Sequence, residues 1–404
     1  LLLSVSERPL VQILTSDVVA TEMLRSGIGA LALTLTSLTA CQLTDSTPDE
    51  SGKPVLSSVS AEEAKAIKID DSHPGYVSPL PTKSGPLHLD ITCDMDAPSA
   101  LVKHDTQGDI VWAKKITPRI SGVCTDETMT PQGAADYLLF TPTSGYAVVS
   151  PNTHYASFIL LRSNATSDDR LPGDKRTRDF TIADQRAYVV VIETETGRTV
   201  RTEEVKGLIL GQVLTNDTLA VETSQAYYPG GNGHGTITTY SLAKPTAKAA
   251  TIPTDKWLVG ATQDSLLLAP SNMSQGRYGT QPLTRLSESG DVVGTVTGVT
   301  DVYRGGWVGR VKDGNTPPTT DNTDDTPLAT PTELVHLDSG VTTDVAGLKV
   351  EEVALPTASG LLVSRETTTG EGKNRETTST PQFWLSAADD GHRHTENLEQ
   401  FSTK

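Results

Sequence analysis

The chain has 404 residues, of which 36% are hydrophobic and only 5% aromatic, and it carries a net charge of -17. The acidic balance is spread along the chain and gives no field to attract a polyphosphate backbone, so nucleic acid is excluded as an expected partner. The 57 Thr, 33 Gly and 24 Pro favour pleated strands and turns over long helices, and the expected class is all-β.

The first signal in chain order starts at Met23. One basic residue, Arg25, precedes an uncharged apolar stretch of 14 residues from Gly27 to Ala40, which ends at Cys41. At 1.5 Å per residue that stretch is too short to cross ~30 Å of hydrocarbon, and it reads as the apolar region of a secretion signal. Leu38-Thr39-Ala40-Cys41 resembles the bacterial lipobox, in which small residues admit the peptidase to the bond before a diacylglycerol-bearing Cys. The resemblance implies a lipoprotein with a signal peptide, held to a bacterial membrane through lipidated, palmitate-bearing Cys41 on the extracytoplasmic side. Residues 1–22 carry Glu7, Arg8, Asp17 and Glu22 and lack basic signal-peptide character, so residues 1–40 are set outside the fold, with a misplaced translation start expected. Apart from Cys41, the cysteines are Cys93 and Cys124, an even pair in an oxidising compartment. A disulfide between them would contribute roughly 3 to 4 kcal/mol, with two free buried thiols as the other reading.

Residues 41–86 read as the lipidated Cys and a flexible tether. Gln42 to Val59 is rich in Ser, Thr, Pro and Asp and buries too little apolar surface to offset its ordering entropy. Ser60-Ala61-Glu62-Glu63 fits a capping box and predicts a short helix through Lys68. Pro74, Pro79, Pro81 and Pro86 then argue against regular structure, and the folded domain is expected over residues 87–404.

From Leu87 the chain repeats a pattern of hairpin, loop and hairpin. The later hairpin turns at Asp105-Thr106-Gln107-Gly108, Glu195-Thr196-Gly197, Lys244-Pro245, Ser287-Glu288-Ser289-Gly290, Asp338-Ser339-Gly340 and Asp389-Asp390-Gly391. Measured at Gly197, Lys244, Gly290, Gly340 and Gly391, the intervals are 47, 46, 50 and 51 residues. That is the size of a four-stranded propeller blade. The expected fold is therefore a β-propeller with six clear blades. A seventh is left open by the 89 residues between Gly108 and Gly197. Ala100 to Trp112, with Asp105, Gly108 and Trp112 in place, resembles the outer hairpin of the quinoprotein (PQQ-type) propeller repeat. Later copies keep the Gly and lose the Trp, with Arg201 and Val293 to Thr295 in that region, so the resemblance is to a divergent member.

In such a blade the second and third strands are joined on one face of the propeller. Here those joints are long: Ser163 to Arg186, Gln225 to Gly235, Pro270 to Gln281, Asp313 to Thr332 and Glu366 to Pro381. Loops on a rigid scaffold carry recognition, so this face is the expected binding face. Tyr227, Tyr228, His234, Arg277 and Tyr278 are its candidate anchors, because rigid aromatics and Arg concentrate binding energy. Asp313 to Thr332 reads as disordered.

Other motifs fall short of chemistry. Tyr228 to Gly235 is Gly-rich but lacks the Lys-Ser/Thr of a phosphate cradle. His392-Arg393-His394 offers two ligands, and Asp321, Asp324 and Asp325 lack the Gly and Glu of a calcium loop. No nucleophile elbow is present, and no catalytic residue, metal or cofactor is expected. The expected function is a lipid-anchored scaffold binding a protein or glycan at the cell envelope. The alternative is a propeller enzyme, either a quinone-dependent dehydrogenase or a hydrolase or lyase; the dehydrogenases resembled use an adjacent Cys pair that this chain lacks.

Overall fold

The computed structural model describes residues 53–66, 76–90, 100–117, 147–161, 180–181, 186–224, 226–227, 235–270, 279–312, 329–369, 376–386 and 391–401. Among these the chain is a β-propeller of six consecutive four-stranded antiparallel units, with one short α-helix. The strand β1 (Val55–Val59) and helix α1 (Ala61–Ala66) come first. The first blade is β2 (Tyr76–Leu80), β3 (Leu87–Asp90), β4 (Ala100–His104) and β5 (Ile110–Thr117). The second is β6 (Ala147–Val149), β7 (Tyr155–Leu161), β9 (Arg186–Glu193) and β10 (Thr199–Lys206), with β8 (Phe180–Thr181) in its long joint. The third is β11 (Leu208–Leu214), β12 (Thr218–Ser224), β14 (Gly235–Ser241) and β15 (Ala250–Thr254), with β13 (Ala226–Tyr227) in the joint.

The fourth blade, β16 (Trp257–Ala261), β17 (Ser265–Ala269), β18 (Gln281–Ser287) and β19 (Val292–Val302), runs directly into the fifth. Val299 pairs with both Gln281 of β18 and Arg310 of β20, and from there to Val302 β19 is the inner strand of a blade completed by β20 (Trp307–Arg310), β21 (Glu333–His336) and β22 (Thr342–Asp344). The crossover happens at Gly298, which takes φ 72° where an added Cβ would sit 2.9 Å from the Val311 carbonyl oxygen. Both demands exclude a side chain. The sixth blade is β23 (Lys349–Ala354), β24 (Ser359–Thr369), β25 (Glu376–Ser386) and β26 (Arg393–His394).

The core lies between blades, and the reason is legible in β9. Its Ala187 to Ile192 run is buried throughout. Strand periodicity then sends alternate side chains to opposite faces. Tyr188, Val190 and Ile192 pack with Leu87, Leu89, Leu101 and Phe158 of the first two blades, whereas Ala187, Val189 and Val191 pack with Ile209, Leu219 and Val221 of the third. Likewise β17 gives Leu266 and Leu268 to one interface and Leu267 and Ala269 to the next. Each fully buried aliphatic side chain contributes about 2 kcal/mol, so a chain poor in aromatics can still hold its layers together.

All six repeat turns identified in the sequence join the third and fourth strands of the six blades. The segment between Gly108 and Gly197 supplies one blade among the described residues, not two. Two expectations about the segment before Leu87 need correction. Val55–Val59 forms a fifth strand on the outer edge of the first blade, paired in register with β5 from Val55↔Thr117 to Val59↔Ala113. Pro79 lies inside β2, tolerated because β2 is the sheet edge and its register shifts between Val77 and Leu80, where a ladder donor is not needed. The capping box forms: the Glu63 amide donates to Ser60 Oγ at 3.2 Å and the Ser60 amide donates to Glu63 Oε2 at 3.1 Å. The described helix is Ala61–Ala66, with Ile67 and Lys68 outside the described residues, and its Ala64 packs with Ala100, Val102 and Ala113 on the first blade. The first and last blades meet through their inner strands, β2 and β23.

Candidate binding face

Each blade's first strand runs toward the turn face and its second returns toward the loop face, so the two ends of the propeller can be read separately. On the turn face the blades are tied to one another. The Asn152 amide donates to Asn216 Oδ1 at 3.0 Å, the Asn216 amide to the Gln263 carbonyl at 2.9 Å, and the Gln263 amide to Asp338 Oδ2 at 3.0 Å. These bonds run through the first turns of blades two, three and four to the outer turn of blade five. Thr215 Oγ1 adds a 2.6 Å bond to Glu288.

The outer turns are docking points as well. Gly108, Gly197, Gly290, Gly340 and Gly391 all take positive φ, which is what the hairpin geometry predicted. Trp112 of the first blade lies against Gly197 of the second, and its Nε1 donates to the Thr194 carbonyl at 3.1 Å. One blade on, Arg201 replaces that Trp. Its Nη1 donates to the carbonyls of Ser241 at 3.1 Å and Pro245 at 2.6 Å, and its guanidinium lies over Tyr240. Ile252 then packs toward Gly290, and Val341 and Trp307 toward Gly391. The divergence from the repeat pattern is thus a change of docking chemistry at a kept position.

Two buried ionisable clusters escaped the sequence reading. Lys103 is fully buried, and its Nζ donates to Ser84 Oγ (3.1 Å), the Gly85 carbonyl (3.1 Å) and the His104 carbonyl (2.8 Å). Ser84 in turn donates to Glu195 of the second blade at 2.5 Å. Burial pulls the Lys103 pKa down, opposed by Glu195 and Asp105. Nearby, His88 and His104 meet edge to face, and burial, then the His104 charge, lowers His88 to about 4. At the opposite end of the blades, Glu222 in β12 is fully buried. Its Oε2 accepts the Leu258 amide of the next blade at 2.7 Å, while Oε1 has no hydrogen-bond partner. Gly235 faces it, and a Cβ there would lie 2.4 Å from Oε1. Burial raises Glu222 to about 7, with the Leu258 bond opposing. The available signal was a lone Glu in the apolar context Thr-Leu-Ala-Val-Glu of a strand buried on both faces.

The loop face is different in kind. Its described parts are two strand pairings built from the long joints. The joints of the second and third blades meet as β8 and β13, in register Ala226↔Thr181 and Tyr227↔Phe180. The joint from Glu366 to Pro381, expected as a loop, is mostly a ribbon: β24 and β25 stay paired out to Thr369↔Glu376. Its Thr and Ser side chains suit a pleated strand, and Thr367, Thr368, Thr377 and Thr378 are exposed. At the start of the sixth blade Lys349 pairs with Glu351 at 2.7 Å and Glu366 at 3.1 Å, and at the end of β20 Arg310 pairs with Glu333 at 2.6 Å.

Of the anchors expected from sequence, Tyr227 is placed in β13. Tyr228, His234, Arg277 and Tyr278 lie outside the described residues, as do Cys41, Cys93 and Cys124. His392 and His394 do bring their rings together, 4.7 Å apart, but His394 stacks on Trp384 at 4.2 Å and bonds Glu396 at 3.0 Å. Among the described residues no group of three or more His, Cys, Asp or Glu is placed to hold a metal ion, and no helix is long and apolar enough to cross a membrane.

No protein-family model matches the chain, and no curated protein matches it. Solved structures similar to it include BamB from Moraxella catarrhalis, at 11% identity over 84% of this chain and 90% of that one, with a TM-score of 0.32. The β-propeller domain of the Trilobed protease from Pyrococcus furiosus is similar at 8% identity over 60% and 73%, with a TM-score of 0.33. An acylaminoacyl peptidase from Pyrococcus horikoshii is similar at 9% identity over 77% of this chain and 50% of that one, with a TM-score of 0.38.

Proposed function

We propose that the protein is a binding scaffold of the cell envelope: a propeller anchored outside the cytoplasm by lipidated Cys41, which recognises a protein or glycan with its loop face. The observation that carries the reading is the pairing of β8 with β13, because it joins the long joints of two neighbouring blades into one surface. The ribbon of β24 and β25 projects from the same end. A face that only tolerated insertions would have no reason to pair them across blades. The anchor is supported by the Leu38-Thr39-Ala40-Cys41 sequence, and the disulfide Cys93–Cys124 is part of the same extracytoplasmic reading.

The test has two arms. In a bacterial host, metabolic labelling with an alkyne fatty acid should mark the full chain and not Cys41→Ser; equal labelling removes the anchor. For binding, immobilised Cys41→Ser protein is compared in envelope extract with a variant whose five long joints are cut to tight turns. A partner retained by the first and lost by the second, with both showing the same β-type circular dichroism, is the expected result. Equal retention would move the site to another surface.

A further inference from the structure

The strand β1 sits between the anchor and the propeller, and its register states on which end the tether enters. The first-blade strand β5 runs from its turn at Gly108 toward the loop face, ending at Thr117. β1 pairs with it antiparallel, and its first residue, Val55, is the partner of Thr117. A chain arriving from Cys41 therefore meets the propeller at the loop face. Resting on the lipid anchor of the proposed function, we infer that the loop face is held toward the bilayer.

The lengths support this. Residues 42–54 number 13, a span of at most about 45 Å when fully extended and typically near 20 Å for an unconstrained chain. Presenting the turn face to the membrane would require the tether to run back along β5, whose eight residues cover about 26 Å, leaving less than half of the extended length. The lipid surface itself is a poor ligand, because a chain of net charge -17 is repelled by anionic headgroups.

The experiment uses the lipidated full chain on vesicles of phosphatidylethanolamine and phosphatidylglycerol containing a trace of a headgroup-labelled acceptor lipid. A donor dye is attached through a bio-orthogonal amino acid at Thr368, on the loop-face ribbon, or at Thr106, in the first blade's outer turn; both sites are exposed. With the two sites separated by at least the ~26 Å of a blade strand, energy transfer from Thr368 should exceed that from Thr106 by about twofold or more. Adding Leu56→Pro and Ser57→Pro, one of which must remove a ladder donor, should unzip β1 and bring the two signals together. If the chain floats with vesicles but Thr106 transfers as well as Thr368 or better, the orientation is overturned while the anchor stands. If the full chain floats no better than Cys41→Ser, the anchor and the inference fail together.

Discussion

The two ends of this propeller are built from the same strands and follow opposite rules. At the turn face every connection between a third and fourth strand is short. Glycines hold left-handed backbone there, and Trp112, Arg201 and Ile252 each reach into the turn of the next blade. At the loop face the connections lengthen, and the described parts pair with each other rather than with the blade bodies. The lesson is a division of labour: at one end the short turns are bound to neighbouring blades, whereas at the other the long joints pair among themselves.

The sharpest way to break that contrast is Gly197→Val. It puts a β-branched residue at φ 64° and its Cβ about 3.0 Å from the Trp112 ring, so strain and overpacking together should cost roughly 3 to 5 kcal/mol, read from urea unfolding. A loss below ~1 kcal/mol would mean that the interblade dock bears little of the stability.

Next in size is Glu222→Gln. An acid whose native pKa of about 7 exceeds its unfolded 4.5 holds its proton more tightly in the fold. Its stabilising contribution is complete below pH 4.5 and is lost as pH rises through 7, a change of about 3 kcal/mol. The Gln variant keeps the acceptor for Leu258 and should flatten this decline, gaining stability at pH 8 relative to pH 5. An unchanged slope would show that Glu222 does not titrate in this range. His88 works in the other direction near the turn face. Its pKa, lowered from 6.5 to about 4, makes its contribution present above pH 6.5 and lost as pH falls toward 4. The two slopes oppose one another between pH 4.5 and 6.5.

The smallest effect is expected at the loop face. Joining Glu366 to Ser379 through a two-residue Asn-Gly turn removes most of the exposed ribbon and should change stability by no more than ~0.5 kcal/mol. A loss above ~2 kcal/mol would make the ribbon part of the fold and erase the distinction between the ends.

The repeat was legible in sequence wherever a turn demanded special backbone: the five turn glycines and the Lys244-Pro245 variant mark all six blades in register. Composition misled at β1 and β2, because Val55–Val59 and the Pro79 strand acquire their stability from the edge they pair with, which local composition does not report. It misled at Glu366–Pro381 for a related reason: Thr-rich runs read as polar loop until two of them face each other. The burial of Lys103 and Glu222 depends on contacts with neighbouring blades, through Ser84 to Glu195 for the one and to Leu258 for the other.

By itself the sequence determined the class, the blade period and the turn positions, because each depends on neighbours a few residues apart. The tertiary structure alone decided which charges are buried between blades, which residue docks into which turn, and that β1 begins at the loop-face end of β5. These depend on residues brought together from different blades, such as Ser84 with Glu195, Asn152 with Asn216 and Val55 with Thr117. No local pattern encodes such a pairing, since its energy exists only after the sheets have packed.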